Sequence, residues 1–271
     1  MPDVLWRVFS QNRVLADALP VLAANAIESL ASAKHGLRTG VITFLHTFTG
    51  ELKFNSHVHT MATAGGWRIS SGSWVRSVYY HTDILMRLWR GAVLGLLRTA
   101  LHAGRLRTTM TVSEMEAMLT EQERWWSVKV QSLSSVEHFF QYGGRYARRP
   151  VIAQRRITYM DKEIVKFWIK DKRSGKIVQI QCFLRNFIDL WAQHILKRYK
   201  HAVRYFGLFA PRAVNQMFDR IFAAISYRRQ PRPAPPRWAE SLKKMTGRDP
   251  LQDCAGQRMN WVRCLAPQPS S

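Results

Sequence analysis

The chain has 271 residues, with 41 lysines and arginines against 18 aspartates and glutamates, a formal net charge of +23. Hydrophobic residues make up 46% and aromatics 11%, enough for a full core, which excludes a disordered basic tail and a disulfide-stapled miniprotein. A positive excess this large points to a polyanionic partner, with nucleic acid ahead of an anionic membrane surface.

Cys182, Cys254 and Cys264 are the only cysteines. An odd number with no C-x-x-C pair excludes a disulfide framework and a self-contained four-cysteine zinc site. No basic-then-apolar leader pattern opens the chain. The longest apolar region, 84–101, is broken by Arg87, Arg90 and Arg98. No membrane partner is therefore expected, and the expected location is the cytoplasm of a bacterium, on the nucleoid when DNA is bound.

In chain order, 21–33 has apolar residues three and four apart and ends in the turn KHGLRTG, which predicts a helix. Segments 41–48 (VITFLHTF) and 56–63 (SHVHTMAT) are β-branched and alternating, and predict two antiparallel strands joined through TGELKFN. Helices are expected at 79–103, with arginines on its outer face, and at 112–130. The next helix opens on the capping-box spelling Ser134-Ser135-Val136-Glu137 and ends by Arg149, because Pro150 disfavours helical geometry in the residue before it. Three strands, 156–160, 164–169 and 177–181, are expected to complete a sheet, the last two forming a hairpin around DKRSG. Helices at 183–197 and 212–226 follow, then QPRPAPP, which regular structure cannot accommodate. Mixed helices and strands without a βαβ rhythm or an internal repeat argue for an α+β fold, an antiparallel central sheet flanked by helices. The expected organisation is a domain over 1–229, a Pro-rich linker over 230–237 and a small basic tail over 238–271.

Two constellations carry chemistry. In a strand, His57 and His59 project from one face, about 6 to 7 Å apart along the chain, so their imidazoles can converge on one cation. His46, in the preceding strand, is brought beside the pair by a hairpin and can supply a third nitrogen; Glu51 in the connection is a rival oxygen ligand. Read alone, the pair is equally compatible with two half-exposed strand histidines. The second constellation is Tyr142-Gly-Gly-Arg145-Tyr146. Residues i and i+4 share a helical face, so both phenols point the same way as potential nucleophiles. Gly143 and Gly144 each cost about 1 kcal/mol against alanine in a helix, which suggests that a sheet or a nucleic-acid backbone approaches that face too closely for a Cβ. With Phe139 and Phe140 alongside, ordinary core packing is the competing reading.

Arg145, Arg148, Arg149, Arg155 and Arg156 cluster around the tyrosines, and guanidinium forks match phosphate oxygens. Aromatic residues interleaved with cations at Trp67-Arg68, Trp74-Val75-Arg76 and 199–205, which includes Arg204, suit stacking of unpaired bases beside a neutralised backbone. Single-stranded DNA is the ligand this mixture fits.

A His-hydrophobic-His strand followed some eighty residues later by a helical Tyr-x-x-x-Tyr resembles the HUH endonuclease superfamily, with its RRM-like antiparallel sheet. The ordered blocks FLHTFTGELKFNSHVHTMATAGG, FFQYGGRYARRPVIAQRRI, VRYFGLFAPR and RWAESLKKMTGRDPL are similar to those of the two-tyrosine rolling-circle transposases of the insertion sequence 91 and insertion sequence 801 type, over nearly the whole chain. The resemblance implies metal-dependent nicking and strand transfer of single-stranded DNA at element termini through a 5′-phosphotyrosine. By position it makes Tyr142 and Tyr146 the paired nucleophiles, places His57 and His59 in the metal-binding pair, and implies Mg²⁺ or Mn²⁺. His46 falls in a His-Thr step of the same block.

Relatives in that family carry an N-terminal cysteine-rich zinc module and a sheet strand just before MPDVLW. This sequence starts inside that block, so a truncated catalytic domain is expected. Cys254 and Cys264 stand where relatives show a CPxCG-like knuckle, but DCAGQ lacks its second cysteine and no zinc is expected there. Two rival readings stay open: a non-catalytic DNA-binding remnant, and a replication initiator or relaxase sharing the same chemistry.

Overall fold

The computed structural model describes residues 1–122, 126–133, 135–147, 150–171, 174–196, 198–228 and 237–259. The chain divides into two compact units, Met1–Tyr227 and Arg228–Ser271.

The first unit opens with helices that the sequence pattern did not single out, α1 (Asp3–Gln11) and the short α2 (Arg13–Ala16). α3 (Leu19–His35) follows and ends at Gly36 in the left-handed region, inside the turn expected there. By length and composition the stretch 13–33 is apolar enough to cross a membrane, more so than the 84–101 stretch, but half of it is buried inside the fold. β1 (Leu37–Arg38) leads into β2 (Gly40–Phe48) and β3 (Phe54–Ala62), the expected antiparallel hairpin. β4 (Gly66–Arg68) and β5 (Ser73–Val75) pair with each other, and β4 pairs with β1.

α4 (Thr82–His102) matches expectation, whereas α5 (Val112–Glu121) stops nine residues short of the predicted 130. Its start is fixed by a capping box between Thr111 and Glu114. Beyond its end, Trp126 donates its indole N–H to the Gln122 carbonyl and is buried in the main core. Burying a large aromatic there outweighs the gain from extending a surface helix by two turns. α6 (Val136–Ala147) carries the two tyrosines. Its cap is Ser135, whose hydroxyl accepts the His138 N–H, one residue beyond the expected Ser134, which lies outside the described residues.

β6 (Ile157–Met160), β7 (Ile164–Lys170) and β8 (Ile177–Phe183), the three expected strands, form a three-stranded sheet of their own around a separate apolar cluster, distinct from the sheet of β2 and β3. After α7 (Leu184–Ala192), the third strand beside β2 is β9 (Val203–Gly207), inside a segment read from sequence only as aromatic and basic. Gly207 has φ +57°, and a Cβ there would run into the Thr39 carbonyl, so the strand ends in a conformation reserved for glycine. α8 (Pro211–Ala224) closes the unit.

The α+β class is as expected, with β2 central in the order β3-β2-β9. One face of this sheet packs on α1, α3 and α4, with Leu5, Phe9, Leu45, Val93 and Leu97 among its fully covered side chains. In the second unit, α9 (Trp238–Thr246) is stopped by Gly247 in the left-handed region. Cys254 is exposed and free. The linker 230–236 and Cys264 lie outside the described residues.

Candidate metal and tyrosine site

The site is a product of strand register. His46 lies directly opposite His57 in the β2–β3 ladder, and Phe44 lies opposite His59. With side chains alternating between faces, Phe44, His46, His57 and His59 share the face that α6 covers, while Leu45 and Val58 point into the opposite core. The ligand nitrogens of His46, His57 and His59 all lie within 4.8 Å of one another. His46 is the buried member at 4% exposure; the other two are half-buried.

Hydrogen bonds to main-chain carbonyls orient two of the rings. His46 Nε2 meets the Tyr146 carbonyl at 2.9 Å, and His57 Nδ1 meets the Asn55 carbonyl at 2.8 Å. A carbonyl only accepts, so the bonded nitrogen carries the proton and the opposite nitrogen of each neutral ring keeps its lone pair. A fixed tautomer with an acceptor behind it is the arrangement that metal-binding imidazoles need. The donor set therefore fits a divalent cation, and among the described residues this cluster is the group able to hold one. Phe48, two residues from His46, stacks on it at 5.2 Å between ring centroids. Glu51 does not join the cluster; it lies in the β2–β3 turn and pairs with Lys53 at 2.6 Å.

α6 brings the phenols over this face. The Tyr146 ring lies 3.8 Å from the His59 ring between centroids and 5.6 Å from His46, and the Tyr142 ring lies 4.5 Å from Tyr146. The order across the site is thus imidazoles, Tyr146, Tyr142. The Tyr142 phenol is pushed up to about 12, first by burial and then by the charge and hydrogen bond of Tyr146, with Arg145 pulling the other way. The two glycines differ. A Cβ on Gly143 would sit 3.3 Å from Met61 Sδ on β3, whereas one on Gly144 would meet nothing within 4 Å. The sheet thus accounts for close approach at one glycine only.

The arginine candidates scatter. Arg145 and Arg155 are exposed near the tyrosine helix and the 3₁₀ turn that precedes β6, respectively. Arg156 points inward, donating to the Gly50 carbonyl at 2.6 Å and the Trp168 carbonyl at 2.9 Å, so it ties the β2–β3 turn to β7. Arg204 faces away from the histidines: it is opposite Thr43, and its guanidinium donates to the Asp17 carbonyl at 2.8 Å. Arg148 and Arg149 lie outside the described residues. Tyr205, next to Arg204 on β9, is opposite Ile42, on the histidine face, and 53% exposed. Sequence reading missed Phe48 and Met61 as neighbours of the site; their i±2 spacing from His46 and His59 was the available signal.

Residues 40–217 match the protein family described as "Putative transposase". The chain is 28% identical, over 98% of its length and 66% of the relative's, to the "Transposase for insertion sequence element IS801" of Pseudomonas savastanoi pv. phaseolicola. It is 24% identical, over 94% of its length and 68% of the relative's, to "Putative transposase y4qJ" of Sinorhizobium fredii (strain NBRC 101917 / NGR234). The chain thus spans about two thirds of the length of these curated relatives. No solved structure matches it.

Proposed function

Because the chain belongs to this transposase family, we propose that it nicks single-stranded DNA at the ends of a mobile element and transfers the strand through a 5′-phosphotyrosine, as in rolling-circle transposition. The observation that carries this reading is the contact of Tyr146 with His59, 3.8 Å between ring centroids, inside a triad whose ligand nitrogens lie within 4.8 Å. His46, His57 and His59 would hold Mg²⁺ or Mn²⁺, which when bound neutralises charge on the scissile phosphate and orients it.

The chain's own residues account for the covalent steps. A tyrosine oxygen bonds to phosphorus, its proton leaves to solvent, the P–O3′ bond breaks, and the departing oxygen takes up a proton as a free 3′-hydroxyl. The phosphotyrosine bond retains the phosphodiester energy, so a later 3′-hydroxyl can reverse the step without ATP. The two phenol rings stand 4.5 Å apart between centroids, and a charge on Tyr146 disfavours one on Tyr142. In this reading Tyr146, which lies against the imidazoles, attacks first. Tyr142, one helical turn before it and farther from the imidazoles, then accepts a second strand.

The test is incubation of purified protein with Mn²⁺ and a single-stranded oligonucleotide carrying the element's terminal sequence. A protein–DNA adduct on the 5′ side of the nick is expected. Tyr146→Phe should abolish it, and Tyr142→Phe should leave it formed but block transfer to a second strand. Binding without an adduct, with either metal, would favour the non-catalytic remnant.

A further inference from the structure

A second basic recess lies at the other end of β2. The β1–β4 pair and α8 enclose a groove of about 560 Å³ lined by Arg38, Trp67, Ile69, Gln216, Met217 and Arg220. Its two charged lining residues are both arginines, one from β1 and one from α8. Arg38 is exposed and reaches Met217 Sδ on α8 at 3.9 Å, and the half-buried Glu28 lies within electrostatic reach of it. Arg220 is exposed and has no ion-pair partner among the described residues. Trp67 packs with Leu208 and Ile221 and is 7% exposed, so it shows the groove only a small part of its ring, while Ile69 beside it is 64% exposed. An exposed apolar rim backed by a tryptophan, a side-chain amide and two exposed guanidiniums are elements that nucleotide recognition uses: an apolar surface for a base, forks for phosphate oxygens.

We infer that this groove is a second single-stranded DNA subsite, in which Arg38 and Arg220 hold phosphates while Ile69, with the exposed part of Trp67 behind it, receives a base of the strand that also enters the histidine–tyrosine site. The inference rests on the single-strand reading above and adds a place on the protein that reading does not assign. Arg38 precedes the Gly40 end of β2, and His46 stands six residues along that strand, about 20 Å at strand rise. Exposed Tyr205 on β9 lies between them on the histidine face. At the 3.4 Å spacing of a duplex strand, 20 Å corresponds to about six nucleotides, and to fewer in a stretched strand. A four-nucleotide ligand is too short at duplex spacing to occupy both places; a twelve-nucleotide one is long enough.

The experiment measures binding of fluorescein-labelled oligonucleotides of four, eight and twelve nucleotides by anisotropy over a salt series, for the unsubstituted chain, Arg38→Gln, Arg220→Ala and Arg220→Glu. Arg87→Ala, which removes an exposed charge from α4, is the control, and circular dichroism verifies folding of each variant. For the twelve-mer, Arg220→Ala should weaken binding about tenfold and Arg220→Glu further, with the salt slope reduced by about 0.7 for the lost phosphate contact. The loss should shrink as the oligonucleotide shortens, and Arg87→Ala should cost less than twofold. Twelve-mer binding unchanged in folded groove variants, a loss independent of length, or an equal loss in Arg87→Ala overturns the subsite and leaves the nicking reading standing. Failure of the unsubstituted chain to bind any single strand overturns both.

Discussion

Replacing Gly143 and Gly144 in turn by alanine tests whether α6 lies on β3 as described. In a free helix each change stabilises by about 1 kcal/mol, through reduced backbone entropy in the unfolded chain. At Gly144 the new methyl meets nothing, so the full gain of about 1 kcal/mol is expected. At Gly143 it lands 3.3 Å from the sulfur of Met61, whose residue is 5% exposed and has little room to retreat. Overpacking of this kind costs about 1–3 kcal/mol, so the net effect is a destabilisation of about 1 kcal/mol. Urea unfolding followed by circular dichroism separates the two signs, and Met61→Ala in the Gly143→Ala background should recover about 1–2 kcal/mol as a coupling energy. Equal responses at the two glycines would show that nothing on β3 approaches the tyrosine helix, and the placement of Tyr146 over His59 would fall with it.

Replacing His57 by alanine should weaken Mn²⁺ binding at least tenfold, read by electron paramagnetic resonance of free Mn²⁺; even removal of an orienting partner costs about 10–100-fold, and this removes a donor. The Tyr142 phenol is raised to about 12 from an ordinary 10, so the folded state holds a proton that the unfolded state releases. Stability from this group is therefore complete below pH 10 and lost between pH 10 and 12; Tyr146→Phe should bring the Tyr142 titration down, followed by NMR of ring-labelled tyrosine, and an unmoved titration refutes the coupling. Arg204→Met should cost about 1–2 kcal/mol in urea unfolding by removing the bond to the Asp17 carbonyl, with DNA affinity within twofold; lost affinity at unchanged stability would return Arg204 to the DNA interface. Leu52→Ala should cost about 2–5 kcal/mol, because Leu52 is fully buried against the β6–β8 sheet; a loss below 1 kcal/mol would detach the hairpin tip from that core.

What could be read from the sequence followed how local the cause was. The β2–β3 hairpin and its three histidines obey a two-residue alternation within some twenty residues, so a correct register placed His46 beside the pair. α6 and its i, i+4 tyrosines were equally local. β9 was missed because its partner, β2, lies some 160 residues earlier: Val203–Gly207 makes sense as a strand only once Gly40–Phe44 is there to pair with it. The same blindness left open which sheet β6–β8 would form, since strand patterning specifies a strand and not its neighbour. The arginines show a third limit. Charge is visible in sequence, but Arg156 and Arg204 use theirs on main-chain carbonyls, which have no sequence signature.

The triad depends on a register that a single-residue slip would destroy, since that would send the β3 imidazoles to the face opposite His46. Two features beyond the β2–β3 ladder itself hold it. β9 pairs with β2 from Gly40 to Phe44, so β2 is fixed from its other edge before the histidine step begins. At the far end, Leu52 in the turn adopts φ +62°, a left-handed conformation that costs a leucine about 1–2 kcal/mol. The cost is offset by complete burial of its side chain beside Val165, Phe167 and Phe187, and its carbonyl accepts hydrogen bonds from Gln193 and His194. A register shift would withdraw that leucine from the second sheet. The β6–β8 sheet, which contributes none of the candidate metal ligands or nucleophiles, thus acts on the site through the turn, by making one alignment of His46 and His57 far cheaper than its neighbours.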